Sequence, residues 1–186
     1  MVTKDQTDTA KAMLKSPPDS LWIGYAGNAG RLISTGPERA VRFSARTGFG
    51  YPLHISKVSS RFCFWLGKPW PDSSFRFKIY RSDGKALLYQ SPLLEAVPGR
   101  PGPDVVHELS TPILIDSGEF YVSVAPADSS GLPANFTGGN WSGTYEAEGS
   151  YLAGGRALPG RSYTGSPVHW VPLEHGELSI SVLVRR

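Results

Sequence analysis

The chain is poor in several things that would announce a function. It has a single cysteine, Cys63, in 186 residues. One thiol excludes an intramolecular disulfide and a cysteine-rich zinc site. Lying between Phe62 and Phe64, with Arg61 as its nearest activating charge, it reads as a structural thiol. No stretch approaches the roughly 18–20 apolar residues of a membrane-spanning helix. The first residues, Met-Val-Thr-Lys-Asp-Gln, are polar and show no leader. Helical periodicity is almost missing. Thr9–Lys15 has room for one or two turns, and Ser16-Pro17-Pro18-Asp19 ends them, because proline lacks the amide donor and restricts the residue before it. The four histidines, His54, His107, His169 and His175, fall in no triad or HExxH context. Gly160–Gly165 is one residue too long for a GxSxG elbow. Gly24, Gly27 and Gly30 follow a strand-like run, but no helical pattern comes after them, so they mark a turn rather than a phosphate loop.

What the chain does have is alternation and turn chemistry. Hydrophobic residues make up 40% and charged residues 19%, a globular balance, and 21 glycines with 16 prolines suit short strands joined by many turns. The segment Lys57–Pro92 organises the rest. Val58, Ser60, Phe62, Phe64 and Leu66 alternate with wetter residues, and Phe75, Phe77 and Ile79 do the same. A period of two means a strand with one apolar face. Gly67–Ser74 reads as a loop between the two, and Arg81-Ser-Asp-Gly-Lys85 as a tight turn into Ala86–Gln90. The expectation is a β-meander. Further strands are expected at Leu21–Tyr25, Arg39–Ala45, Asp104–Leu109, Ile113–Ile115, Glu119–Ala125, Arg161–Thr164 and Val168–Val171. Alternating Leu178, Ile180, Val182 and Val184 form the last. Ser110-Thr111-Pro112 is expected to split two of them. Asp128–Gly160, with eight glycines, shows no clear period. About ten short strands without crossover helices predict an all-β, antiparallel β-sandwich of jelly-roll or Greek-key wiring. It would comprise an N-terminal arm or linker at 1–20 and one sandwich domain at 21–186.

Charge is unevenly spread. Residues 21–85 hold eleven Lys/Arg against three acids, and residues 86–186 hold five against ten, within a net charge of +3. Unless strands of the two halves interleave, this predicts a basic surface on one side and an acidic surface elsewhere. The basic and aromatic mixture in 21–85 invites nucleic acid, but no RNP or cold-shock motif is present and the second half is acidic. Glu146 with Glu148 and Glu174 with Glu177 are the close carboxylate pairs, of a spacing common in loops. Asp116, Glu119 and Asp128 are the candidate ligands for a calcium ion, and no other cofactor is implied.

The order of certain pieces resembles a known kind of domain. Glu38-Arg-Ala-Val-Arg-Phe43 comes first, then Phe75-Arg-Phe-Lys-Ile-Tyr80 with its Asp-Gly turn and Leu87-Leu-Tyr-Gln-Ser-Pro92. His107-Glu-Leu-Ser-Thr-Pro-Ile113 and Gly118-Glu-Phe-Tyr-Val122 follow. Together they resemble the jelly-roll accessory domains of large secreted bacterial proteins, which are similar in architecture to carbohydrate-binding modules. The likeness spans roughly residues 21–186 and implies a sandwich, not a set of site residues.

Aromatics are the strongest lead to a function. Sugar faces stack on exposed Trp and Tyr while polar groups read hydroxyls. Trp70 sits between prolines in a loop, and Trp141 and Tyr145 lie among Gly, Asn140 and Ser142. Trp65, Tyr163 and Trp170 are further aromatics, the last two near the closing strands. The expected function is a non-catalytic module, extracellular or at a cell surface, binding carbohydrate or another surface polymer. Trp70, Trp141 and Tyr145 would be its platforms and Asn140 its hydroxyl reader. The alternative is a structural subunit that self-assembles into a filament, shell or capsid through the N-terminal arm and its sheet edges.

Overall fold

The computed structural model describes residues 19–24, 31–33, 38–44, 51–62, 74–81, 85–96, 104–127, 136–138, 162–166, 169–172 and 178–186. Their strands are β1 (Ser20–Gly24), β2 (Arg31–Ile33), β3 (Arg39–Ser44), β4 (Leu53–Arg61), β5 (Ser74–Tyr80), β6 (Leu87–Gln90) and β7 (Leu94–Glu95). Then come β8 (Asp104–Ile115), β9 (Glu119–Pro126), β10 (Phe136–Gly138), β11 (Ser162–Ser166), β12 (His169–Pro172) and β13 (Ile180–Arg185). All their pairings are antiparallel. A four-stranded sheet runs β1-β13-β4-β8, and a larger one runs β12-β11-β3-β9-β5-β6 with β7 also on β5. β2 and β10 form a separate ribbon.

The two sheets share one core. Ile23, Leu53, Ile55, Val58, Ile180, Val182 and Val184 point in from the small sheet, and Val41, Phe43, Phe75, Phe77, Ile79, Phe120, Val122 and Val124 from the large one. Phe43 stacks on Phe120 at 5.2 Å, and Phe75 meets Phe77 edge-on. Between the sheets, Phe62 lies 4.6 Å from Phe75. The architecture is thus an all-β sandwich of jelly-roll or Greek-key type. Its pairs β1–β13, β4–β8 and β3–β9 join strands far apart in the chain.

The expected meander is half right. β5 and β6 form a hairpin, with Ile79 opposite Tyr89 and Arg81 N–H donating to Ala86 O at 2.9 Å. β4, however, belongs to the other sheet. Alternation identifies the apolar face of each strand, but β4 and β5 bury those faces in the same core from opposite sides, which the pattern alone does not distinguish.

β4 also carries a bulge at Ser56, where register shifts against both β13 and β8. The inward set changes from Leu53 and Ile55 to Val58, Ser60 and Phe62. The Ser56 hydroxyl donates to Leu183 O at 3.2 Å, so the extra residue is not idle. On the other side β8 is one strand through Ser110-Thr111-Pro112, but its pairing with β4 lapses between Glu108 and Ile113, where four of its residues lie opposite Ser56 alone. The expected break is thus one of pairing and not of the strand. Pro112 is tolerated because β8 is an edge strand and its missing amide lies where the ladder is already interrupted.

Strand interleaving offsets part of the charge asymmetry. Basic β4 pairs with acidic β8 through Lys57–Glu108 at 3.1 Å and Arg61–Asp104 at 2.8 Å. β3 pairs with β9 through Arg42–Glu119 at 3.4 Å. Three cations of the first half thus meet carboxylates of the second.

Candidate functional site

The outer face of the large sheet holds the densest polar chemistry among the described residues. Glu38, just before β3, shares that face with Ala40, Lys78, Tyr80, Tyr121 and Ser123. Its carboxylate accepts from Tyr80 Oη at 2.8 Å, from Lys78 Nζ at 3.0 Å and from the Ser123 hydroxyl. Tyr80 and Ser123 are buried although they point away from the core. What covers Tyr80 is Trp170 of β12, edge-on at 6.1 Å. Trp170 also lies parallel to Tyr121, with centroids 6.1 Å apart and planes within 4°.

β12 is separated from β9 by β11 and β3, roughly 14 Å of flat sheet at 4.8 Å per strand. The 6.1 Å ring separations are well below that span, so the Trp170 ring lies back over the outer face toward β9 and β5. Burial, and then the neighbouring Glu38 charge, push the Tyr80 phenol far above its ordinary value, so it stays a donor at any physiological pH. Trp170 and Tyr121 are each half-buried and keep surface toward solvent. On the inner face, Arg39 is in register with Val124 and Phe77; burial lowers its guanidinium to about 10, which leaves it cationic at neutral pH.

A second feature ties the sheets at their open side. Tyr89 on β6 and His107 on β8 share a hydrogen bond of 2.7 Å between Oη and Nε2, and His107 stacks on Tyr89 and on Phe77. Burial raises the tyrosine and lowers the histidine, so both favour the neutral form. A third is a pocket of about 320 Å³ at one end of the sandwich, where β8 turns into β9 beside the β5–β6 hairpin. Leu88, Leu114 and Ile115 line it, with Arg81, Asp116, Ser117 and Glu119.

The sequence-derived platform residues Trp70, Trp141 and Tyr145, and the hydroxyl reader Asn140, lie outside the described residues. So do Cys63, Trp65, His175, Asp128, both close carboxylate pairs and residues 1–18 of the arm. His54 sits on the outer face of the small sheet between Arg185 and Leu114, far from any triad geometry. His107 is held by Tyr89 as above, and His169 opens β12. Asp116 and Glu119 do come together in the pocket, but Arg81 shares it. Among the described residues, no group of three His, Cys, Asp or Glu is placed to hold a metal ion. Among them, too, no helix is long and apolar enough to cross a membrane.

Sequence reasoning overlooked Glu38, Tyr80, Tyr121 and Ser123 as a group. The available signal was the outward register of β5 and β9, where Lys78, Tyr80, Tyr121 and Ser123 stand on the wet side of two strongly alternating strands. No family model, no curated protein and no solved structure matches the chain.

Proposed function

We propose that this β-sandwich is a non-catalytic binding module of the cell surface or extracellular space, and that its ligand is carbohydrate. One observation carries the reading: Tyr121 and Trp170 stand parallel and half-exposed on the outer face of the large sheet, beside the Glu38–Lys78 network. A flat aromatic pair next to fixed polar groups suits a sugar ring, whose C–H face stacks while its hydroxyls take hydrogen bonds. The network is fully engaged internally, so it stiffens the platform rather than acting on a bond. Trp70, Trp141, Tyr145 and Asn140 remain candidate contacts from loops.

The test is retention on polysaccharide gels and binding to a glycan array. Tyr121→Ala with Trp170→Ala is expected to weaken binding at least about tenfold, equivalent to ~1.4 kcal/mol. Binding that survives both this pair and the pair Trp70→Ala with Trp141→Ala rejects the platform reading.

A self-assembling subunit is the second reading. It is favoured by the edge of β8 that has no partner strand among the described residues, where Val106 is 52% exposed. Only Asp104–Leu109 offers a regular edge, since Pro112 and the facing bulge blunt the remainder. Light scattering on the chain with and without residues 1–18 separates the readings: loss of a large assembly on deletion favours the subunit, and a monomer in both cases favours the module.

A further inference from the structure

The pocket at the end of the sandwich has a composition that the carbohydrate reading does not use. Its apolar lining comes from Leu88 on β6 and from Leu114 and Ile115 at the end of β8. Arg81, just beyond β5, supplies a cation, and Asp116 and Glu119 supply anions across the β8–β9 turn. These opposite charges share one pocket, yet no ion pair joins Arg81 to either carboxylate among the described residues. Glu119 is instead engaged by Arg42 at 3.4 Å, and Arg81 and Asp116 enter no ion pair among the described residues.

The turn bearing Asp116 is held in place. Gly118 takes φ of +77°, in the region glycine favours, and the Tyr51 hydroxyl donates to its carbonyl. The Ser117 hydroxyl faces the Asp116 carboxylate at 3.4 Å. The turn that carries Asp116 is therefore tied to Tyr51.

A ligand of one sign gains from one of these charges and loses to the other. A molecule carrying both signs gains from both, through charge-assisted hydrogen bonds to guanidinium and carboxylate. The lining is mainly polar, and its smaller apolar part suits a short branched hydrocarbon, since about 320 Å³ is at the small end of ligand pockets, which run from ~300 Å³ upward. We propose that this pocket binds a free aliphatic α-amino acid as its zwitterion. Arg81 takes the carboxylate, Asp116 takes the ammonium, and Leu88, Leu114 and Ile115 take the side chain.

The experiment is a titration of the full ¹⁵N-labelled chain, followed by amide chemical shifts, with L-leucine as probe. N-acetyl-L-leucine and L-leucinamide each remove one charge and stand for peptide C- and N-termini. Leucine is expected to shift the amides of 114–119 and of Arg81 saturably, with a Kd of about a millimolar or tighter. Each single-charge analogue is expected to bind at least about tenfold more weakly. Arg81→Gln and Asp116→Asn, both at exposed positions, are expected to abolish the shifts while leaving the rest of the spectrum unchanged.

No saturable shift with leucine overturns the proposal. Equal binding of an analogue overturns it in favour of a peptide terminus, and shifts of the same amides by glucose or cellobiose alone overturn it in favour of a sugar. The result is separable from the carbohydrate reading. Tyr121→Ala with Trp170→Ala leaves leucine binding intact, and Arg81→Gln leaves polysaccharide retention intact.

Discussion

Replacing Glu38 by alanine tests the description of the outer face most directly. The carboxylate accepts from the Tyr80 hydroxyl, from Lys78 Nζ and from the Ser123 hydroxyl, and Ser123 also lies within hydrogen-bond reach of Tyr80. Tyr80 is 3% exposed and Ser123 is 0%. Glu38→Ala therefore leaves the two buried hydroxyls only each other among the described residues, at about 1–3 kcal/mol for each bonding site left unsatisfied, besides removing the ion pair. Lys78 is 21% exposed at its side chain, so water compensates part of its loss, and a total of about 3–5 kcal/mol is expected. For a domain of this size that lowers Tm by roughly 6–20 °C.

Glu38→Gln keeps an acceptor for Tyr80 and should cost less than half as much. Tyr80→Phe removes a single bond to a carboxylate, worth about 1.5–3 kcal/mol. Urea unfolding followed by tryptophan fluorescence, with m unchanged between variants, gives the differences directly. A Glu38→Ala cost below about 1 kcal/mol refutes the reasoning, since it means that the hydroxyls find water and the face is open.

The same cluster has an alkaline signature. The folded-state pKa of Tyr80 lies above the ordinary 10.0, so the folded chain holds a proton that the unfolded chain releases. Stability is complete below pH 10 and falls as pH rises beyond it. Tyr80→Phe removes that part of the decline, and tyrosinate absorbance at 295 nm reports whether Tyr80 ionises only on unfolding.

At the open side, His107 favours its neutral form because burial opposes its charge. Its contribution is complete above the unfolded value of about 6.5 and is lost as pH falls through the lowered folded value. His107→Gln should flatten stability against pH in that acidic window, and an unchanged profile speaks against the buried Tyr89 contact. Gly24 has φ of +128°, and a Cβ there would lie 2.4 Å from Ile180 O and 2.7 Å from Ser181 Cα. Gly24→Ala should destabilise by at least about 2 kcal/mol in urea, and a neutral result contradicts the β1–β13 approach. Phe75 is fully buried against Phe62 and Phe77, and Phe75→Ala should cost about 3–5 kcal/mol by thermal or urea unfolding; below ~1.5 the inter-sheet packing is misplaced.

Most strands were legible because their cause is local. Phe75-Arg-Phe-Lys-Ile and Ile180-Ser-Val-Leu-Val alternate with no interruption, and each strand forms where that pattern lies. The β5–β6 hairpin also forms where the sequence expects it, although Asp83-Gly84 lies outside the described residues. Partner choice was not legible. Nothing in Val58–Phe62 distinguishes a neighbour ten residues away from β13 more than a hundred residues on, since either buries the same apolar face. The bulge was visible only as a slip of phase between Ile55 and Val58, a signal that invites two strands rather than one bent strand. β2, β7 and β10 are two or three residues long and too short to show a period. The outer-face cluster escaped because its members, Glu38, Lys78, Tyr80, Tyr121 and Ser123, come from three strands whose adjacency depends on the sheet order. Trp170 stood out as an aromatic, but its place against Tyr80 depends on sheet order and side-chain direction, which no local pattern shows.

The placement of β13 has a bearing on biosynthesis. This strand is the middle rail between β1 and β4, yet the ribosome makes it some 160 residues after the strand it zips onto. Until then β1 has no described neighbour and β4 presents a bare hydrogen-bonding side, so nascent chains must wait with greasy surface uncovered. Supplying residues 178–186 as a separate peptide to a shortened polypeptide should restore the missing rail, turning that vulnerability into a split-protein reporter.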